Sequence, residues 1–176
     1  MTSVTSTSLQ DLIDRADVRG LAAAGLACLD RCLPLLAPER AEALRPVWAA
    51  VARGDGGAWA EAVGKVRVEL GGVGGEDADA GGVVTMVHAM LDGVPTEWAD
   101  EPLRAWAGQC SAVALAVHRL YDATEAGPLH AGELRRQQAV LEVAAHGPTG
   151  LRRARELSIE GGRVLRAVVS RRARTA

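Results

Sequence analysis

Apolar residues recur at steps of three and four along most of the chain, the spacing that lines one side of a 3.6-residue helix. Over residues 98–123, Leu103, Trp106, Cys110, Val113, Val117 and Leu120 keep that step, and we read this stretch as the central helix. Thr96 or Asp100 is expected to cap it. Residues 20–36 place Leu21, Ala24, Cys28, Cys32 and Leu35 on one face, with Leu29 and Leu33 beside them; Pro34 is expected to kink or end that helix. Leu44, Val47, Trp48 and Val51 supply the stripe of a helix opened by Pro38, and the GDGG turn at 54–57 closes it. Trp59, Val63, Val66 and Leu70 mark the next helix.

Toward the end, Leu134, Gln138, Leu141 and Ala145 follow helical spacing, with Val140 alongside, and the Gly147–Pro148 pair reads as a stop. A last helix carries Leu151, Ala154, Ser158, Leu165, Val168 and Val169 along one side; Gly161 and Gly162 weaken its middle and are expected to split it. Near the start, Ser8 with Asp11 resembles a capping box and Asp17 suits a second cap. Residues 83–91, VVTMVHAML, suit a buried helix, with a strand as the alternative. The pattern predicts an all-α fold, a compact antiparallel multi-helix bundle of seven or eight helices. Residues 1–7 are expected to be a flexible leader and 8–174 a single helical domain with a Gly-rich loop at 71–82.

Composition supports helix over sheet. Ala, Val and Leu dominate, Phe is absent, and Tyr121 is the one tyrosine. Small Ala faces let helices approach closely, whereas a large sheet draws on Ile, Phe and Tyr. Arginine outnumbers lysine 19 to 1, a bias that suits a GC-rich coding sequence as well as any binding role. No run approaches the roughly 18 apolar residues of a spanning helix. Residues 1–10 have neither a basic nor an apolar segment of a signal peptide. Three cysteines do not close a disulfide set, so a reducing cytoplasm is the expected location.

Charge is unevenly placed. Residues 1–147 carry 12 basic and 20 acidic side chains; residues 148–176 carry eight Arg and two Glu. On one continuous helix Arg152, Arg155, Arg163 and Arg166 share a broad side, a face suited to an acidic protein surface or to phosphates. Half the weight of that signal belongs to a plainer role, cations complementing a helix C-terminus and a solubilising tail. Base reading is poorly supported, because aromatic residues for stacking are nearly missing. Trp48 and Trp106 fall on apolar stripes as core anchors. Trp59 and Trp98 follow turn residues, where partial exposure would suit an interface.

Candidate chemistry is thin. Cys28 and Cys32 share a helix face with Cys110 nearby in the pattern, yet the spacing is not that of a zinc knuckle and core packing explains it. His118 and Asp122 form an i,i+4 pair able to orient an imidazole, or simply a surface hydrogen bond. Glu76, Asp77 and Asp79 lack the ligand order of an EF-hand, and no lysine motif marks a phosphate loop. No catalytic residue, metal ligand or cofactor is assigned, and no motif carries a family resemblance. The expected role is non-catalytic: a protein-binding or self-associating domain, regulatory, immunity-like or structural, that uses Arg152, Arg155, Arg163, Arg166, Trp59 and Trp98. The alternatives are a small-molecule- or nucleic-acid-responsive regulator and, third, a small helical enzyme.

Overall fold

The computed structural model describes residues 7–72, 82–125 and 127–175. The expected leader and most of the Gly-rich loop lie outside them, as do Glu76, Asp77 and Asp79. The fold is all-α. Among the described residues eight helices run in the order α1 (Leu9–Arg15), α2 (Val18–Leu36), α3 (Arg45–Arg53), α4 (Gly56–Leu70), α5 (Val83–Asp92), α6 (Asp100–Tyr121), α7 (Pro128–Ala144) and α8 (Gly147–Thr175). They form a compact antiparallel bundle with no strand. Residues 83–91 are therefore helical, as favoured.

The organising helix is α2, not α6. It buries 14 of its 19 residues, against 8 of 22 for α6. Its alanines make this possible, since Ala22, Ala23, Ala24 and Ala27 present almost no relief and neighbours close in from every side. At Gly25 any Cβ would overlap the Trp106 ring, so the missing side chain is what lets α6 lie across α2. The most extensive packing of α2 is with α6 and α8, and α7 closes against α8.

Local signals explain the helix ends. Ser8 and Asp11 make the reciprocal capping box, Asp17 accepts from Gly20 N, and Asp55 accepts from Ala58 N. Gly54, at φ 62°, ends α3 in the left-handed conformation that favours glycine. Three expectations fail here. The helix opened by Pro38 is a run of turns, and α3 begins only at Arg45. Pro46 explains this: in the middle of a longer helix it would remove a hydrogen bond and press on the Glu42 carbonyl, but in the first turn it is tolerated. Neither Thr96 nor Asp100 caps α6; Ala99 holds the N-cap without a side-chain bond. Finally, α8 is continuous through Gly161 and Gly162.

Arginines close helices from outside. Arg67 reaches the carbonyls of Leu91, Asp92 and Val94 at the end of α5. Arg104 reaches those of Ile13 and Ala16 at the end of α1. Arg172 donates to Leu120 O (3.2 Å) and Tyr121 O (2.7 Å) at the end of α6. Each guanidinium meets carbonyls at or just past a helix C-terminus, at the negative end of the helix dipole.

Candidate functional site

Two polar regions lie on either side of the packing between α2 and α8. The inner one is sealed. Arg31 of α2 donates through Nε to Glu133 Oε2 (2.8 Å) and through Nη2 to Oε1 (2.7 Å), a bidentate pair with neither side chain exposed. Gln137, one turn beyond Glu133 on α7, donates to Glu133 Oε1 at 2.8 Å and accepts from Ser111 Oγ of α6 at 2.6 Å. Ser158 of α8 lies 3.4 Å from Arg31 Nη1 and donates to Ala154 O. Side chains of four helices thus join one hydrogen-bonded network around the guanidinium.

The glycines of α8 make room for it. A Cβ at Gly161 would stand 2.5 Å from Arg31 Cδ and 3.0 Å from Arg136 Cδ. The residues expected to break α8 are instead the flat strip on which α2 and its arginine rest.

Electrostatics keep this centre ionised. Burial alone would raise the Glu133 carboxyl, but the charge and hydrogen bonds of Arg31, helped by His118 and Gln137, hold it below the usual range. Burial pulls Arg31 down and Glu133 more than offsets it. His118 is held below its ordinary value chiefly by burial. Its Nδ1 lies 2.7 Å from Ala114 O and its Nε2 3.4 Å from Glu133 Oε2. Both neighbours are acceptors, so a neutral imidazole satisfies only one. The shorter contact takes the proton, and the buried Nε2 has no hydrogen-bond partner. The expected His118–Asp122 pair does not form: Asp122 turns away and accepts from Leu129 N and His130 N, both at 2.9 Å, capping α7.

The cysteines are free and buried. Burial pushes the Cys28 thiol up to about 12 and raises Cys32 and Cys110 well above the usual thiol range. Burial thus favours the neutral thiol over the nucleophilic thiolate in all three. Among the described residues no group of three or more His, Cys, Asp or Glu is arranged to hold a metal.

The outer region is open. A cleft of about 180 Å³ runs between the end of α2, the turns at 37–44 and the outer side of α8. Leu33, Pro34 and Ile159 add apolar lining, and the charged lining residues are Asp30 of α2, Glu42 of the turns, and Arg163 and Arg166 of α8. Asp30 accepts from Trp48 Nε1 at 2.9 Å, and burial pushes its carboxyl up to about 6 despite that bond. Arg155 reaches across from α8 to Glu42 at 2.9 Å.

Of the residues singled out from sequence, Arg152, Arg163 and Arg166 are exposed and make no ion pair among the described residues. Arg155 is half-buried and already paired with Glu42. Trp98 is half-buried. The partial exposure expected of Trp59 is corrected: its side chain is fully buried, donates to Pro95 O at 2.7 Å, and packs edge-on against Trp98 and Trp106. A tryptophan just past a turn still points inward when its N–H finds a carbonyl there. The structure thus brings Arg163 and Arg166 together at the cleft and leaves Arg152 farther back along α8, in a shallow depression beside Trp48.

The inner centre escaped the sequence reading, though Arg31 interrupting an apolar helix was a visible sign. No protein-family model, no curated protein and no solved structure matches the chain.

Proposed function

We propose that this chain is a non-catalytic binding protein. Its docking face is the outer side of α8 around Arg152, Arg163 and Arg166, and its partner is an acidic protein surface, including that of a second copy. The single observation that carries this reading is the state of those three guanidiniums. They stand exposed on one helix with no ion pair among the described residues, at the end of a chain whose first 147 residues carry an excess of carboxylates. Other arginines, Arg31, Arg67, Arg104 and Arg172 among them, are used inside the molecule. Nothing sealed in the interior offers substrate access, and burial favours the neutral thiols, which weighs against a catalytic role.

Sedimentation velocity over a range of concentrations tests the self-associating form directly. The expected result is association that weakens with salt and is lost in an Arg152→Ser, Arg163→Ser, Arg166→Ser chain. A monomer at every concentration and ionic strength would overturn self-association; association indifferent to the three substitutions would remove α8 from the interface.

The cleft favours a second reading, a small-molecule-responsive regulator. Its charged and apolar lining has the make-up of a ligand site, in which a few polar groups fix orientation over an apolar lining.

A further inference from the structure

The cleft has a polarity of its own. Its α2 lining gathers acceptors. The Asp30 carboxylate spends one oxygen on Trp48 Nε1. Pro34, inside α2, has no N–H, so the Asp30 carbonyl loses the partner a helix would give it. That carbonyl lies beside Gly162: a Cβ there would be 3.7 Å from Asp30 O. Its α8 lining carries the donors Arg163 and Arg166. Leu33, Pro34 and Ile159 add apolar lining to the same cleft.

From this juxtaposition we infer that the cleft binds a small zwitterion, an ammonium carboxylate with an aliphatic body. Its ammonium sits against Asp30 and its carboxylate against Arg163 and Arg166. A simple anion would leave the Asp30 carboxylate facing it, and a simple cation would face two guanidiniums. Only a molecule carrying both charges satisfies both. A cavity of about 150 Å³ holds benzene, so about 180 Å³ suits a body of leucine's size. The inference rests on the second reading above; it shares Arg163 and Arg166 with the first but needs no partner chain.

Isothermal titration calorimetry of the full chain at low salt and pH 7.5 tests it. The probes are L-leucine and its isomer 6-aminohexanoate, which hold the same two charges at different separations. The expected result is saturable binding of at least one. The matching acid without an amino group, 4-methylpentanoate or hexanoate, binds about tenfold weaker or worse, and so does the matching amide, which lacks the carboxylate. Asp30→Asn, which can still accept from Trp48, and the double variant Arg163→Ser, Arg166→Ser lower the affinity by a similar factor; both are confirmed folded by circular dichroism. No heat with either zwitterion, equal binding of the acid or the amide, or unchanged affinity in both variants would overturn the inference. A monomeric chain that binds a zwitterion would sink self-association alone, and an associating chain that binds neither would sink this inference alone.

Discussion

Arg31 and Arg166 border the same helix packing from opposite sides, and their situations could hardly differ more. Arg31 lies under α8 with none of its side chain exposed, both arms of its guanidinium on Glu133. Arg166 stands in solvent at the rim of the cleft. The buried arginine has given up its hydration and is tied to one geometry. The exposed one keeps its water and its freedom, and its charge reaches other molecules. On the proposed reading, binding capacity lies with the cations that folding left unused.

The largest expected effect comes from breaking the inner pair. Arg31→Met leaves the Glu133 carboxyl buried without its main partner, and Glu133→Gln leaves the guanidinium so; each should cost about 3–5 kcal/mol, read as a fall in the urea midpoint. The double variant Arg31→Met, Glu133→Leu should cost less than either single, because well-packed apolar groups often replace a buried ion pair with little loss. A double variant as unstable as the two singles combined would break the contrast, since the pair would then be no coupled unit. Acid probes the same centre. Glu133 titrates below its ordinary range and His118 below its own. Both contributions are present at neutral pH and are lost as pH falls, first below about 6.5 for the histidine and then through the carboxyl range.

Asp30 stands between the two regions, mostly buried yet lining the cleft. Its carboxyl, pushed up to about 6 from 3.8, holds a proton more tightly folded than unfolded. Stability therefore falls as pH rises from about 4 to 6, and the full deficit applies above that. Asp30→Asn has no proton to lose and can keep the Trp48 bond. Relative to the parent it should gain about 1–3 kcal/mol on going from pH 4 to pH 7.5. His118 and Glu133 titrate alike in both chains and cancel in the difference. A gap that does not change with pH would mean that Arg31 and Arg155, beside this carboxyl, compensate it fully.

The same contrast explains which parts of the molecule were legible in the sequence. Where burial is apolar, periodicity located most of the faces: Leu44, Val47, Trp48 and Val51 are all buried, as are Trp59, Val63, Val66 and Leu70, although Leu120, expected on the stripe of α6, is exposed. Where burial is polar it misled. The stripe expected for α7 was Leu134, Gln138, Leu141 and Ala145 with Val140 alongside; Val140 and Leu141 are buried, but so are Glu133, Gln137 and Ala144, and Ala145 is exposed. The face is turned by about one residue, because Glu133 and Gln137 point inward to partners on α2 and α6 that no local pattern encodes. Gly161 and Gly162 read as helix breakers for the same reason: the arginine that needs their flatness lies 130 residues away. The exposed arginines of α8 were legible because their condition depends on little beyond their own helix.

The smallest expected effect is the most informative about those exposed arginines. Replacing Arg163 and Arg166 by Ser removes two charges that form no ion pair among the described residues, so thermal stability should change by no more than about 0.5 kcal/mol. Arg155→Gln, which cuts the surface pair with Glu42, should cost about 0–1 kcal/mol and less still at high salt. The ordering matters more than either value. If the Arg163 and Arg166 substitutions cost more than Arg155→Gln, the two guanidiniums are holding this molecule together in some way, and they are not spare. If they cost less, while salt-sensitive binding is lost with them, the division between an arginine that builds the fold and arginines that serve a second molecule stands on measurement.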